Sequence, residues 1–449
     1  MIKKTCILFI LFVGMFNCTQ ALADGPGSGV AGFDKGFRDS GSFVITSDPQ
    51  YPWTDKTDRR EPESDSEKKT RSEQLIRAQY NSINAYTDTI KNTITPVLVN
   101  GDITAFGHGP QILGLGAEDE WGKMVELMNV LKSPVYPGLG NHDIQNNYND
   151  CADNGCIYNS FMNYFSQVIY GVPTTSFDMK MNNPNASTTD PTQEYSGSFA
   201  YSTDMGPIHS IQLNNYPTMT FPDKTVSTKM GRIKFTLESS LDWLEQDLKS
   251  ASASGQAIII NLHEPNNWGW DSDKYPQSQY PNLESGPNQR FINLLKEYDV
   301  KAVFAGHYHT EHGLSTSYKN YFGDVPVFIS GSAAQATYLI AEYNSNDLKV
   351  YGVNNNDWQA KTLLKTIGIP YTFTIDKGQG RLVFKQIGNH LVLSGYNATN
   401  PVSNNDVMWR VMVNGKQVFT FSETTPIYKL VDQVNAAELV GDSFSVEPL

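Results

Sequence analysis

The chain is short of charge, of cysteine and of long apolar runs. Only 18% of its 449 residues are charged, and 34 Lys and Arg face 47 Asp and Glu, for a net charge of −13. So acidic a chain argues against nucleic acid as a partner, and against an anionic membrane held by charge alone. Past the first residues no apolar run approaches the roughly 20 residues of a membrane span, so the mature chain is expected to be soluble. There is no internal repeat and no low-complexity segment. Glycine (35), proline (23), tyrosine (23) and tryptophan (7) are plentiful, as in a globular extracellular protein and not a disordered one.

The opening "MIKKTCILFILFVGMFNCTQALADG" places Lys3 and Lys4 before an apolar core from Cys6 to Phe16, then Ala21-Leu22-Ala23. That pattern is a secretory signal peptide over 1–23, with cleavage near Ala23 and a secreted or periplasmic product. A buried N-terminal helix is the alternative; a lipid-anchored start at Cys18 is disfavoured by Met15-Phe16-Asn17. Cleavage removes two lysines and no acid, taking the net charge from −13 to −15. It also removes Cys6 and Cys18, leaving Cys151 and Cys156, which an oxidising compartment favours as a disulfide. A metal-binding pair is the alternative, but no further thiol supports it.

Buried strands are expected at 42–47, 95–100, 133–139, 256–262, 301–305 and 326–330, each an apolar, β-branched run bounded by polar turns. Between them, one helical face carries Ile76, Tyr80, Ile83 and Ile90, and another Trp121, Met124, Met128 and Leu131. "SSLDWLEQDL" and "NQRFINLLKEY" read as shorter helices. Helices between strands imply a layered α/β architecture, with ligands outside the carboxyl ends of the strands. After Leu364 the pattern alternates, and Asn414-Gly415 reads as a hairpin turn. The expected organisation is a catalytic domain over 24–364 and a small antiparallel β-domain over 365–449.

The strand ends share one chemistry. Asp48-Pro49-Gln50 ends the first, Gly101-Asp102 the second and Gly140-Asn141-His142-Asp143 the third; His263 and then Gly306-His307-Tyr308-His309 end the next two. Each fragment alone has a bland reading: Gly-Asn and Gly-Asp are turn chemistry, and a lone histidine is usually structural. The ordered set is not bland.

With these motifs the chain resembles the calcineurin-like metallophosphoesterases over roughly residues 42–340. The resemblance implies a β-sandwich flanked by helices and a dinuclear centre. Asp48, Gln50, Asp102 and His309 would hold one divalent metal, and Asp102, Asn141, His263 and His307 the other, with Asp102 bridging. It implies phosphoester hydrolysis by a hydroxide shared between the metals, with His142 as general acid and Asp143 fixing its tautomer. Oxygen and nitrogen ligands suit zinc, manganese or iron, with zinc placed first. Two departures stand out. The family usually has a histidine where this chain has Gln50, although some branches carry Asp-Pro-Gln. The carboxylate often found after Gly-Asp is replaced by His108, read as a substrate-binding residue.

Substrate is read from aromatics. Trp268 and Trp270, with Tyr275 and Tyr280, follow His263; Tyr51 and Trp53 follow Gln50. Such a collar would bind a sugar or inositol ring or touch a lipid interface transiently, although aromatics also simply fill large loops. The chain resembles secreted bacterial phospholipases C that cleave phosphatidylinositol, so a phospholipid is the expected substrate. A broad extracellular phosphatase or nucleotide phosphodiesterase is the alternative, and a binding protein on an inactive scaffold is the non-enzyme one. Oligomeric state is unreadable.

Overall fold

A computed structural model describes residues 40–91, 93–109, 119–144, 155–184, 191–228, 231–253, 256–266, 287–344 and 347–369, and, further on, 371–377, 380–387, 390–398, 408–413, 415–422 and 444–449. The expected signal peptide, Cys151, Trp268, Trp270, Tyr275, Tyr280 and Asn414 lie outside the described residues.

All six expected strands form, as Gly41–Thr46, Val97–Asn100, Val135–Gly138, Ala257–Asn261, Ala302–Ala305 and Val327–Ile329. They read as apolar runs because they are buried in the interior of two sheets. The first sheet has six strands, in the order 362–368, 347–353, 338–343, 41–46, 97–100, 135–138; the last three run parallel. The second has seven, in the order 313–315, 327–329, 302–305, 257–261, 208–212, 201–205, 174–177, with a parallel run from 327–329 to 208–212.

The two sheets pack face to face. Phe43 of the first meets Phe304 of the second edge-on at 6.1 Å. Asn100 Nδ2 donates to Phe304 O at 3.1 Å, and Gln212 Nε2 donates to Asn100 Oδ1 at 3.1 Å. This is the layered α/β sandwich that the sequence implied.

Helix Asp65–Thr87 starts at a capping box of Ser64 and Glu67 and buries Ile76, Tyr80 and Ile83; Ile90 falls beyond its end. Helix Glu120–Met128 buries Trp121, Met124 and Met128, with Leu131 past its end. Leu241–Ala253 and Pro287–Glu297 follow as expected. Helix Gly155–Gly171 and the strands between 174 and 237 have no counterpart in the sequence reading. No helix among the described residues is long and apolar enough to cross a membrane.

Further on, strands 371–377, 380–387 and 390–398 form one antiparallel sheet, and 408–413, 416–422 and 444–448 another. The boundary expected at 364 falls inside the strand Thr362–Gly368, which pairs with Asp347–Val353 and completes the first sheet.

An ion triad of buried His209 and Asp247 with exposed Asp204 ties helix Leu241–Ala253 to the second sheet. His209 Nδ1 donates to Asp204 Oδ1 at 2.7 Å, and Nε2 donates to Asp247 Oδ2 at 2.8 Å. Burial alone would lower the pKa of His209, but the two carboxylates outweigh it and raise it to about 9. A pKa above the unfolded value near 6.5 gives stability that is whole below pH 6.5 and lost as pH rises through 9. The term is on the order of 3 kcal/mol. We expect His209→Gln to lower the thermal midpoint at pH 6 and to flatten its decline between pH 6.5 and 9; an unchanged decline would remove the triad from the account.

Candidate metal centre

The parallel strands of both sheets end at one place. Asp48, Asp102 and Asn141 follow the first sheet's parallel strands, and His263 and His307 follow two of the second's. The turns are tied together: Asp48 N donates to Gly101 O at 3.1 Å, and Gln50 N to Asp102 O at 3.0 Å. Asp48, Gln50, Asp102 and His307 all have positive φ (50°, 41°, 49° and 73°), a conformation that side-chain-bearing residues seldom adopt. Gly101 (φ 82°) and Gly140 permit the closest approach: a Cβ on Gly140 would stand 2.2 Å from Asp102 Oδ1.

Two groups of donor atoms result. Asp102, His263 and His307 offer ligand atoms within 4.8 Å of one another, and so do Asp48, Asp102 and His309. Asp102 belongs to both. Asn141 Oδ1 lies 3.0 Å from His263 Nε2 and 3.0 Å from His307 Nδ1, which puts it in the first of these groups. Gln50 is fully buried, and neither atom of its amide has a hydrogen-bond partner; Asp48 Oδ1 accepts no well-aligned hydrogen bond and meets the His309 ring only as an ion pair at 3.2 Å. Buried polar atoms are rarely left so. A cation among these oxygens and imidazole nitrogens would satisfy Asp48 Oδ1 and Gln50 Oε1, so the residues fit a divalent metal pair.

The charges are arranged to match. Burial opposes the ionised form of Asp102, but His263 and His142 hold its carboxyl well below the usual range. Burial also opposes protonation of His263, and Asp102 and Asp48 override it to raise the ring to about 10. His309 rises to about 10 in the same way, between Asp48 and Asp58. His307 falls to about 4, through burial and then the neighbouring charge of His263.

His142 Nδ1 donates to the carbonyl of Ala105 at 2.7 Å. This corrects the role expected for Asp143, whose carboxylate instead accepts from Ile103 N, Thr104 N, Thr104 Oγ1 and Gly140 N at 2.9–3.0 Å. Asp143 braces the turn that presents Asn141 and His142, and Ala105 orients the imidazole. Tyr51 is buried, so its ring offers no open face to a substrate; Trp53 is half-buried and makes T-shaped contacts with His142 and His309, ring centres 5.4 Å and 5.5 Å apart. His108 is partly exposed, stacks on Phe106 at 5.6 Å, and sits 3.4 Å from the buried Glu120. Cys156 is buried at the start of helix Gly155–Gly171, and its expected partner is outside the described residues.

Residues 41–311 match the calcineurin-like phosphoesterase family. The chain belongs to that family. Its members typically hold two divalent metals, in keeping with the two donor groups. Similar solved structures include a purple acid phosphatase from yellow lupin (Lupinus luteus) seeds, at 12% identity and a TM-score of 0.42 over 73% of this chain and 53% of that one. This chain thus spans about half the length of the lupin protein. A predicted phosphoesterase of Streptococcus pneumoniae TIGR4 (9% identity, TM-score 0.27) and vacuolar protein sorting 29 of Cryptosporidium parvum (9%, 0.25) each match 73% of this chain, over 98% and 97% of theirs. Likenesses at these scores carry no argument about function. No curated protein matches the chain.

Sequence reasoning missed Asp58, Gln335, Ala105 and Glu120, because none follows a strand end within a recognisable motif. For this family member we expect purified protein to carry two metal equivalents by mass spectrometry, and Asp102→Ala to carry none, because a shared carboxylate would anchor both ions. One retained equivalent in the variant would break the shared-ligand arrangement.

Proposed function

We propose that the chain is a secreted phosphodiesterase that cleaves the head-group phosphodiester of a phospholipid, with phosphatidylinositol first. The observation that carries the hydrolytic part is the pair of donor groups sharing Asp102. The lipid part rests on the sequence: a leader-like start over 1–23 and the aromatic-rich segment holding Trp268 and Trp270. Secretion also favours the Cys151–Cys156 pairing.

Two divalent metals held by Asp48, Gln50, Asp102, Asn141, His263, His307 and His309 would activate water and neutralise charge on the phosphoryl oxygens, with zinc first. The protein's own contribution is a positioned proton. His142 stands beside Asn141 with Nδ1 anchored on Ala105 O and Trp53 against its ring, which leaves Nε2 as the atom to protonate the departing alkoxide.

For His142→Ala we expect retained metal and a loss of about 10²–10⁴-fold on an alkyl phosphodiester. The deficit should shrink on a nitrophenyl phosphodiester, whose leaving group needs no proton, and equal deficits on both would remove the acid role. With phosphatidylinositol vesicles the products should be diacylglycerol and open inositol monophosphate, with ¹⁸O from labelled water on the phosphate. Rapid nucleotide hydrolysis without diacylglycerol from any phospholipid would replace the lipid reading with a nucleotide phosphodiesterase. Bound metal with no hydrolysis of any phosphoester would point to a binding protein on this scaffold.

A further inference from the structure

Three side chains from distant parts of the chain converge on one carboxylate behind the metal centre. Asp58 ends the four-residue helix Asp55–Asp58, and its side chain is 8% exposed. Its Oδ1 accepts from His309 Nδ1 at 2.6 Å and from Trp53 Nε1 at 2.7 Å, and its Oδ2 accepts from Gln335 Nε2 at 2.6 Å. Trp53, so held, packs its ring in T-shaped contact with both His309 and His142.

The bond from His309 Nδ1 decides how the other nitrogen is used. With its proton committed to Asp58, Nε2 turns to Asp48 Oδ1 at 3.2 Å, within the group formed by Asp48, Asp102 and His309. The other group is backed differently. His263 Nδ1 donates to the neutral carbonyl of Asn100 at 2.8 Å. The group with a carboxylate behind its histidine is thus the one that holds Asp48, two residues before Gln50, whose buried amide has no hydrogen-bond partner and is a weaker donor than an imidazole. A carboxylate on the far nitrogen of a ligating histidine fixes the ring and increases its basicity.

We infer that Asp58 is a positioning residue that sets the divalent-metal affinity of the Asp48–Gln50–His309 group, offsetting the amide at position 50, with Trp53 and Gln335 holding it in register. The inference rests on the metal reading of the site and goes beyond it by making the two positions unequal in their support.

The test titrates zinc onto metal-stripped wild type and variants, with a competing chelator, and counts bound equivalents. Asp58→Asn should weaken one equivalent by about 10–100-fold, the usual effect of losing such a partner, and leave the other unchanged. Asp58→Asn with Gln50→His should recover most of that loss, which a merely structural role for Asp58 would not give. Gln335→Ala should shift the same equivalent in the same direction by less, and it reads the dependence even if Asp58→Asn fails to fold. Wild-type affinity at both positions in Asp58→Asn, or in Gln335→Ala where the first variant cannot fold, overturns the inference. So does equal weakening of both equivalents, or no recovery in the double variant. No zinc bound to wild type would instead overturn the metal reading itself.

Discussion

A methyl group on Gly140 would lie 2.2 Å from Asp102 Oδ1, 2.5 Å from Asp102 N and 2.8 Å from His263 Cδ2, and one on Gly101 would lie 2.7 Å from Gly140 N and His263 Nδ1. Backbone from two loops of the first sheet and an imidazole from the second therefore meet at closest packing, which only glycine allows at both points. Everything chemical in the molecule depends on that approach. Asp102 takes part in both donor groups because the loop after Val135–Gly138 lies directly on it, and His142 N donates to its Oδ1 at 2.8 Å as a result.

Such an arrangement is locally unfavourable and has to be imposed. Four site residues sit at positive φ, at about 1–3 kcal/mol each, and several buried polar atoms have no hydrogen-bond partner. The imposing structure is the pair of parallel cores behind it. Val44, Ile45, Val97 and Val99 in one sheet, and Ile259, Ile260, Val303 and Phe304 in the other, are completely buried. Asn100 and Gln212 lock the sheets at the level of the strand ends, so the loops cannot relax by sliding one sheet over the other.

This division between apolar strands and polar ends explains what could be read from sequence. Strands covered on both faces are uninterrupted apolar runs, and polar residues after them stand out, so Asp48, Asp102, Asn141, His263 and His307 were legible. Strand Ile208–Gln212 lies in the middle of the second sheet yet was invisible, because it buries His209, Ser210 and Gln212. Their partners, Asp247, Asn261 and Asn100, are 38, 51 and 112 residues away, so only the fold shows why polar side chains belong there. Asp143 misled for the converse reason. Adjacency to His142 suggested a pair, but the tight turn sends its carboxylate back to Gly140 N and across to Ile103 and Thr104. Asp58 has no strand before it, and its partner Gln335 is 277 residues distant.

The ion pairs of the centre then have a simple electrostatic logic. Asp48, Asp102 and Asp58 are carboxylates withdrawn from water, and His263 and His309 hold protons among them that neither ring would hold alone. Positive charge is thus required at this place whatever carries it, because an unpaired buried carboxylate costs several kcal/mol. A dication held by the Asp48 and Asp102 oxygens would supply that charge, with His309 and His263 offering Nε2 while Nδ1 keeps its bond to Asp58 or to Asn100 O. The strained turns bring the donor atoms of each group within 4.8 Å of one another.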